Sequence, residues 1–214
     1  MSDHDTSRMT RRMVLQGATL VGAMAVAAPT QLQAANVPLK TLTAAEGELL
    51  GAILDRLIPT DANGPGARDV GVLQYIDGAL GDALKASRSA YSAGLTALDR
   101  YARASRGQPF LQLSATDQDS VLIDCETGGA TGFTGSSGQF FGMVLNHTRQ
   151  GMFGDPHYGG NENFVGWDLI AYPGVRTSIT AADQKALEAN QLKPVRRSAY
   201  DYNGFTKADG AHHG

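Results

Sequence analysis

His147, Asp155 and His157 carry the donor atoms a divalent metal takes and lie close together in the chain. His147 falls in a helical pattern, whereas Asp155 and His157 fall in a loop broken by Pro156, so no single helical face fixes their geometry. His212 and His213 stand in a polar tail without periodicity. There is no Gly-x-Ser-x-Gly elbow and no helical His-Glu-x-x-His, so hydrolytic chemistry lacks a nucleophile or a zinc frame. The carboxylate pairs Asp117/Asp119 and Asp124/Glu126 fall on helix positions expected to face water. The expectation is that this chain holds no catalytic residues, no metal and no cofactor of its own. An independent metal enzyme built on His147, Asp155 and His157 stands as the alternative, and a small-ligand binding module as a third.

Gly128 to Gly138 holds five glycines in eleven residues. It follows a helix, lacks Gly-x-Gly-x-x-Gly and ends without Lys-Ser/Thr, which fits a connector better than a phosphate cradle. Cys125 is the single cysteine, so no disulfide can form within the chain. It serves either as a small buried apolar residue, as the pattern Leu122-Ile123-Asp124-Cys125 suggests, or as a bridge to another chain. Without Cys-x-x-Cys-His, covalent c-type haem is excluded for this chain.

A different texture runs from Phe153 to Trp167, where glycine, asparagine and aromatic residues crowd around Pro156. Such composition predicts neither helix nor strand. Loops of this kind either wrap a domain's own core or present rigid anchors to another protein. Phe153, Gly154, Asp155, Pro156, Tyr158, Gly159, Gly160, Asn161 and Trp167 are the candidates for one or the other role, with Trp167 favoured for self-packing and Tyr158 to Asn161 for an interface.

The elements that must position these residues read as helices. Thr43-Ala44-Ala45-Glu46 is a capping box, followed by Leu49, Leu50, Ile53, Leu54, Leu57 and Ile58 on one face. Pro59 to Gly66 stops that helix. A second helix is expected from near Asp69, burying Val72, Leu73, Ile76, Leu80 and Leu84. A third runs from about Ser87 to Ser105 on Tyr91, Leu95, Leu98 and Tyr101. Ser114 caps a fourth that buries Val121, Leu122 and Cys125. A fifth spans about Gln139 to Gln150 with Phe140, Phe141, Val144, Leu145 and Thr148 inward, and a last short one starts at Thr180 and runs through Leu187. Pro194 to Gly214 reads as an arm or a disordered tail. No strict two-residue alternation argues for a sheet, so the expected fold is all-α: an irregular helical bundle with long Gly/aromatic-rich loops.

Ahead of this body, Thr10-Arg11-Arg12-Met13-Val14-Leu15 opens a weakly apolar run to Ala28, and Gln33-Ala34-Ala35 offers a cleavage site. Arg11 and Arg12 give residues 1–34 the layout of a twin-arginine export signal, which implies folding before export to the periplasm through the Tat translocase. The remaining organisation is a helical domain over 35–180 and a short helix with a C-terminal arm over 181–214. From Ala35 onward 15 Lys and Arg face 19 Asp and Glu, a net −4 with no basic cluster beyond Arg196-Arg197. That balance argues against nucleic acid as a partner.

Three blocks carry a resemblance to a known family. Asp55-Arg56-Leu57-Ile58-Pro59 with Gly64-Pro65-Gly66-Ala67, then Phe153 to Asn161, then Gly166-Trp167-Asp168-Leu169 with Tyr172-Pro173-Gly174, resemble the gluconate 2-dehydrogenase subunit 3 family, the small (gamma) subunit. The likeness spans roughly Thr41 to Gly174. It implies a heterotrimer in which a large subunit bears FAD, a multihaem cytochrome c subunit bears haem c, and the small subunit serves export and assembly of the large one. Small subunits of related glucose or keto-gluconate dehydrogenases look alike, so the substrate stays open. The subunit reading also implies an exposed apolar patch on the isolated chain.

Overall fold

The computed structural model describes residues 38–202; Arg11 and Arg12 of the expected export signal, and His212 and His213 of the tail, lie outside the described residues. Seven α-helices occur among the described residues: α1 Ala44–Leu57, α2 Val72–Gly81, α3 Arg88–Arg106, α4 Ala115–Glu126, α5 Ser137–Phe153, α6 Val165–Leu169 and α7 Ala181–Glu188. The only strand-like feature among them is one antiparallel bridge, Asp61 to Gly64, so the all-α expectation holds. No described helix is long and apolar enough to cross a membrane.

The capping chemistry read from the sequence is in place. Thr43 Oγ1 accepts from the Glu46 amide at 3.2 Å, and the Glu46 carboxylate accepts from the Thr43 amide at 2.9 Å. Ser114 caps α4 through the Asp117 amide, and Thr180 caps α7 with Asp183 in reciprocal contact. One box was not anticipated. Ser136 and Gln139 close a reciprocal cap that starts α5 at Ser137, and the helix runs on to Phe153 rather than ending at Gln150. Its inner face holds Phe140, Val144, His147, Thr148 and Met152, with Phe141 and Leu145 only half-buried.

α2 also differs from expectation, opening at Val72 rather than near Asp69. Asp69 is consumed elsewhere: its carboxylate accepts from the Gly66 amide at 3.1 Å and from the Thr60 hydroxyl, stapling the loop that ends α1. Gly71 precedes the helix at φ +80, a left-handed conformation that glycine adopts without penalty.

α5 is the central beam, packing along both α2 and α4 and crossing α1 and α3. Two glycines let the backbones close up. A Cβ at Gly94 of α3 would collide with the Phe140 ring of α5, 2.1 Å from its nearest carbon, and one at Gly151 would crowd Tyr75 and Val72 of α2. Leu50, Ile53, Leu54, Ile76, Leu80, Tyr91, Leu95, Leu98 and Phe110 are buried essentially completely in one continuous core. Each such side chain contributes about 1.5–3 kcal/mol of transfer free energy. Among the described residues none beyond Trp167 joins the buried apolar set, and α7 buries none of its side chains.

The lead before α1 is held by a residue with no sequence signature. Asp77, buried on α2, accepts from the amides of Lys40, Thr41 and Leu42 at 2.7, 2.9 and 2.8 Å. Three backbone donors satisfy a carboxylate that would otherwise be costly to bury.

Candidate partner interface

The segment after α5 is fixed from within. Gly154 ends the helix, and Pro156 opens a 3₁₀ turn, Pro156–Tyr158, where its missing amide costs nothing. Asp155 caps that turn, one carboxylate oxygen accepting from the His157 amide at 2.9 Å and the other from the Ala199 amide at 2.8 Å. Gly159 follows at φ +96. At Gly160 the chain passes so close to the Gly151 carbonyl that any side chain would collide. Asn161 is fully buried at φ +50; its amide nitrogen donates to the Gly154 carbonyl at 2.8 Å and its oxygen accepts from the Gly166 amide at 2.7 Å. Trp167 Nε1 donates to the Phe153 carbonyl at 2.9 Å.

Of the nine candidates, Phe153, Gly154, Pro156, Gly160, Asn161 and Trp167 therefore fix the loop on the end of α5. Asp155 and Gly159 shape the turn, and Tyr158, 58% exposed, presents a large side chain to solvent. Trp167 is not loop, as its neighbourhood suggested, but sits on α6 and is 5% exposed. The Glu162 amide donates to the Val70 carbonyl at 3.1 Å, tying this segment to the chain ahead of α2.

Beyond α6 lies a surface that sequence reasoning missed. Leu169, Ile170, Ala171, Tyr172 and Pro173 are consecutive, apolar and all exposed. A run of that length facing water is unusual unless a partner uses it. It is also built. Ala171 holds φ +52, and the Ala171 and Tyr172 amides donate to the carbonyls of Asp168 at 3.1 Å and Trp167 at 2.8 Å. The Tyr172 ring meets Trp167 edge-on with centroids 4.8 Å apart. Positive φ at Asn161, Asn163, Phe164 and Ala171 concentrates backbone strain in this stretch. The available signal was the failure of Leu169, Ile170 and Tyr172 to fit any helical face already counted.

The C-terminal arm closes against the same region. Its Val195 amide donates to the Pro173 carbonyl at 3.0 Å, Arg196 pairs with Asp168 at 2.6 Å, and Tyr202 donates to the Val175 carbonyl at 2.8 Å. Tyr200 stacks on His157 with centroids 3.9 Å apart, and its hydroxyl lies 2.5 Å from that of Tyr158. This contact raises the Tyr158 phenol above its ordinary range. Up to Tyr202, the segment beginning at Pro194 is thus a docked arm.

The metal-ligand trio is dispersed. His147 is buried between α3 and α5, where its Nδ1 lies 3.0 Å from the Tyr91 hydroxyl. Burial pushes the His147 imidazole down and the Tyr91 phenol up, so the pair is neutral around pH 7. His157 lies in the arm contact instead, and Asp155 has given both oxygens to backbone amides. Among the described residues no group of three His, Cys, Asp or Glu is placed to hold a metal. Cys125 is fully buried, its thiol pushed up to about 12 by burial with Asp124 adding to it, so a bridge to another chain would first require the end of α4 to open. The paired carboxylates do not simply face water: Asp119 binds Arg56 through two oxygens at 2.6 and 2.7 Å, and Asp124 accepts from Tyr101 and Arg106.

A family model described as Gluconate 2-dehydrogenase subunit 3 matches residues 44–174, from the first residue of α1 to the glycine after the exposed run. No curated protein and no solved structure matches the chain.

Proposed function

The chain belongs to the gluconate 2-dehydrogenase subunit 3 family, and on that premise we propose that it is the non-catalytic small subunit of a flavin-dependent dehydrogenase complex of the periplasm, acting by contact. In this reading a large partner subunit carries FAD and oxidises gluconate, a multihaem cytochrome c partner carries haem c, and this chain brings the large subunit to export. Keto-gluconate and glucose dehydrogenases are the substrate alternatives.

The observation that carries the reading is the exposed run Leu169–Pro173, held in shape by hydrogen bonds although it adds no fully buried side chain to the core. An isolated domain gains nothing from presenting Ile170 at 53% and Tyr172 at 37% exposure. A subunit whose partner buries them does. Arg11 and Arg12 supply the export half of the proposal.

Two experiments test it. Ile170→Asp should abolish co-purification of the large subunit while leaving the thermal transition of this chain unchanged. Equal capture by that variant removes the run from the interface. Arg11→Lys with Arg12→Lys should leave both subunits in the cytoplasm. Normal periplasmic dehydrogenase activity in that strain would end the export reading.

A further inference from the structure

We propose that the arm Val195–Tyr202 is a clasp that holds Leu169–Pro173 in its docking shape, so that the catalytic subunit binds the arm-closed form of this chain. The inference rests on the subunit reading above and deepens it. Its grounds are where the arm is bolted. Arg196 grips Asp168 immediately before the apolar run, with 2.6 and 3.3 Å contacts, and the Val195 amide donates to the carbonyl of Pro173 at its far end. Both ends of the run are therefore pinned by adjacent residues of one short segment. Gly174 makes the second pin possible, since a Cβ there would strike the Val195 carbonyl.

The arm is anchored in turn to the turn after α5, through Asp155 to the Ala199 amide and through the Tyr200 ring on His157. Ser198 is its one buried residue, and it places no apolar side chain in the core. Attachment outside the hydrophobic core, chiefly by polar and aromatic contacts, makes the arm a unit that opens without unfolding the helices. Inside the run Ala171 is held at φ +52, a conformation an unbraced alanine leaves readily. Closing the arm supplies the brace, and opening it releases the strain.

Ala199→Pro isolates the clasp. Ser198, at φ −64 and ψ 152, already has the conformation a residue before proline requires, and Ala199 opens a 3₁₀ turn where proline fits. The substitution removes the donor to Asp155 and little else. In the full-length chain it should speed tryptic cleavage after Arg196 and Arg197 about tenfold, the effect of losing one charge-assisted hydrogen bond. Amide exchange at Ala171 and Tyr172 should rise with it while amides of α1 to α5 keep their protection. Arg196→Ala, which frees Asp168 without a proline, should give the same pattern of exchange. Capture of the catalytic subunit should weaken about tenfold in both variants. Unchanged exchange at Ala171 and Tyr172 in a chain whose arm is released overturns the clasp, as does arm cleavage that occurs only when the α1 to α5 amides also exchange. If the two variants show this rise in exchange while the wild-type chain captures no dehydrogenase subunit, the subunit reading falls and the clasp stands.

Discussion

At the scale of single residues, Asn161 does the most structural work for its size. Its two side-chain hydrogen bonds join the Gly154 carbonyl to the Gly166 amide across a fully buried site. Asn161→Ala leaves both partners unsatisfied and puts alanine at positive φ, so a loss of about 3 kcal/mol is expected in urea denaturation. Glu46 offers a pH-dependent counterpart. Burial pushes its carboxyl up, but the Thr43 amide and the two-pronged Arg88 contact outweigh that and hold it at about 2 against an ordinary 4.5. A depressed carboxylate stabilises the fold above pH 4.5 and loses that contribution as pH falls from 4.5 toward 2. Glu46→Gln should therefore be less stable than wild type at neutral pH, the gap closing across that window when urea midpoints are compared. A gap that persists at pH 2 would assign the effect to packing.

At the scale of elements, two glycines on facing helices make opposite predictions. Gly94 is filled by the Phe140 ring, so Gly94→Ala should overpack α3 against α5 and cost about 1–3 kcal/mol. Gly142, exposed in the middle of α5 with open space where a Cβ would stand, should gain about 0.5–1 kcal/mol as alanine. Thermal melts of the two variants should thus move in opposite directions. The helices themselves were legible in the sequence because their information is local. Thr43, Ser114 and Thr180 cap where their spacing says, and Leu49 to Leu54 lie on the face their period gives. The misreadings are where a residue serves something distant. Asp69 was spent on Thr60 and Gly66, not on opening α2. His147 faces Tyr91 across two helices, and Asp155 finds its partner 44 residues on at Ala199. The exposed run was hidden for the same reason: whether Ile170 is covered depends on the whole fold.

At the scale of the molecule, the helical body is complete before the arm contributes anything, since among the described residues the core cluster draws only on those up to Met152 with Val165 packed against it. Removing residues 175–214 should accordingly leave a cooperative thermal transition, lowered by only a few degrees. Loss of cooperativity in that truncation would show that the arm is part of the body. The family match ends at the same place, residue 174, so the arm lies outside the stretch the family defines.

Asp77 has a mechanical meaning. Because its carboxylate grips three successive backbone N–H groups, it is indifferent to which side chains Lys40, Thr41 and Leu42 carry, and only proline at those positions would break the grip. Any tug on the chain ahead of Lys40 is thereby delivered through Asp77 into the middle of α2 before it reaches α1. A load shared by three amides resists such a pull in parallel, so α1 feels traction on the leading end only after all three have let go together.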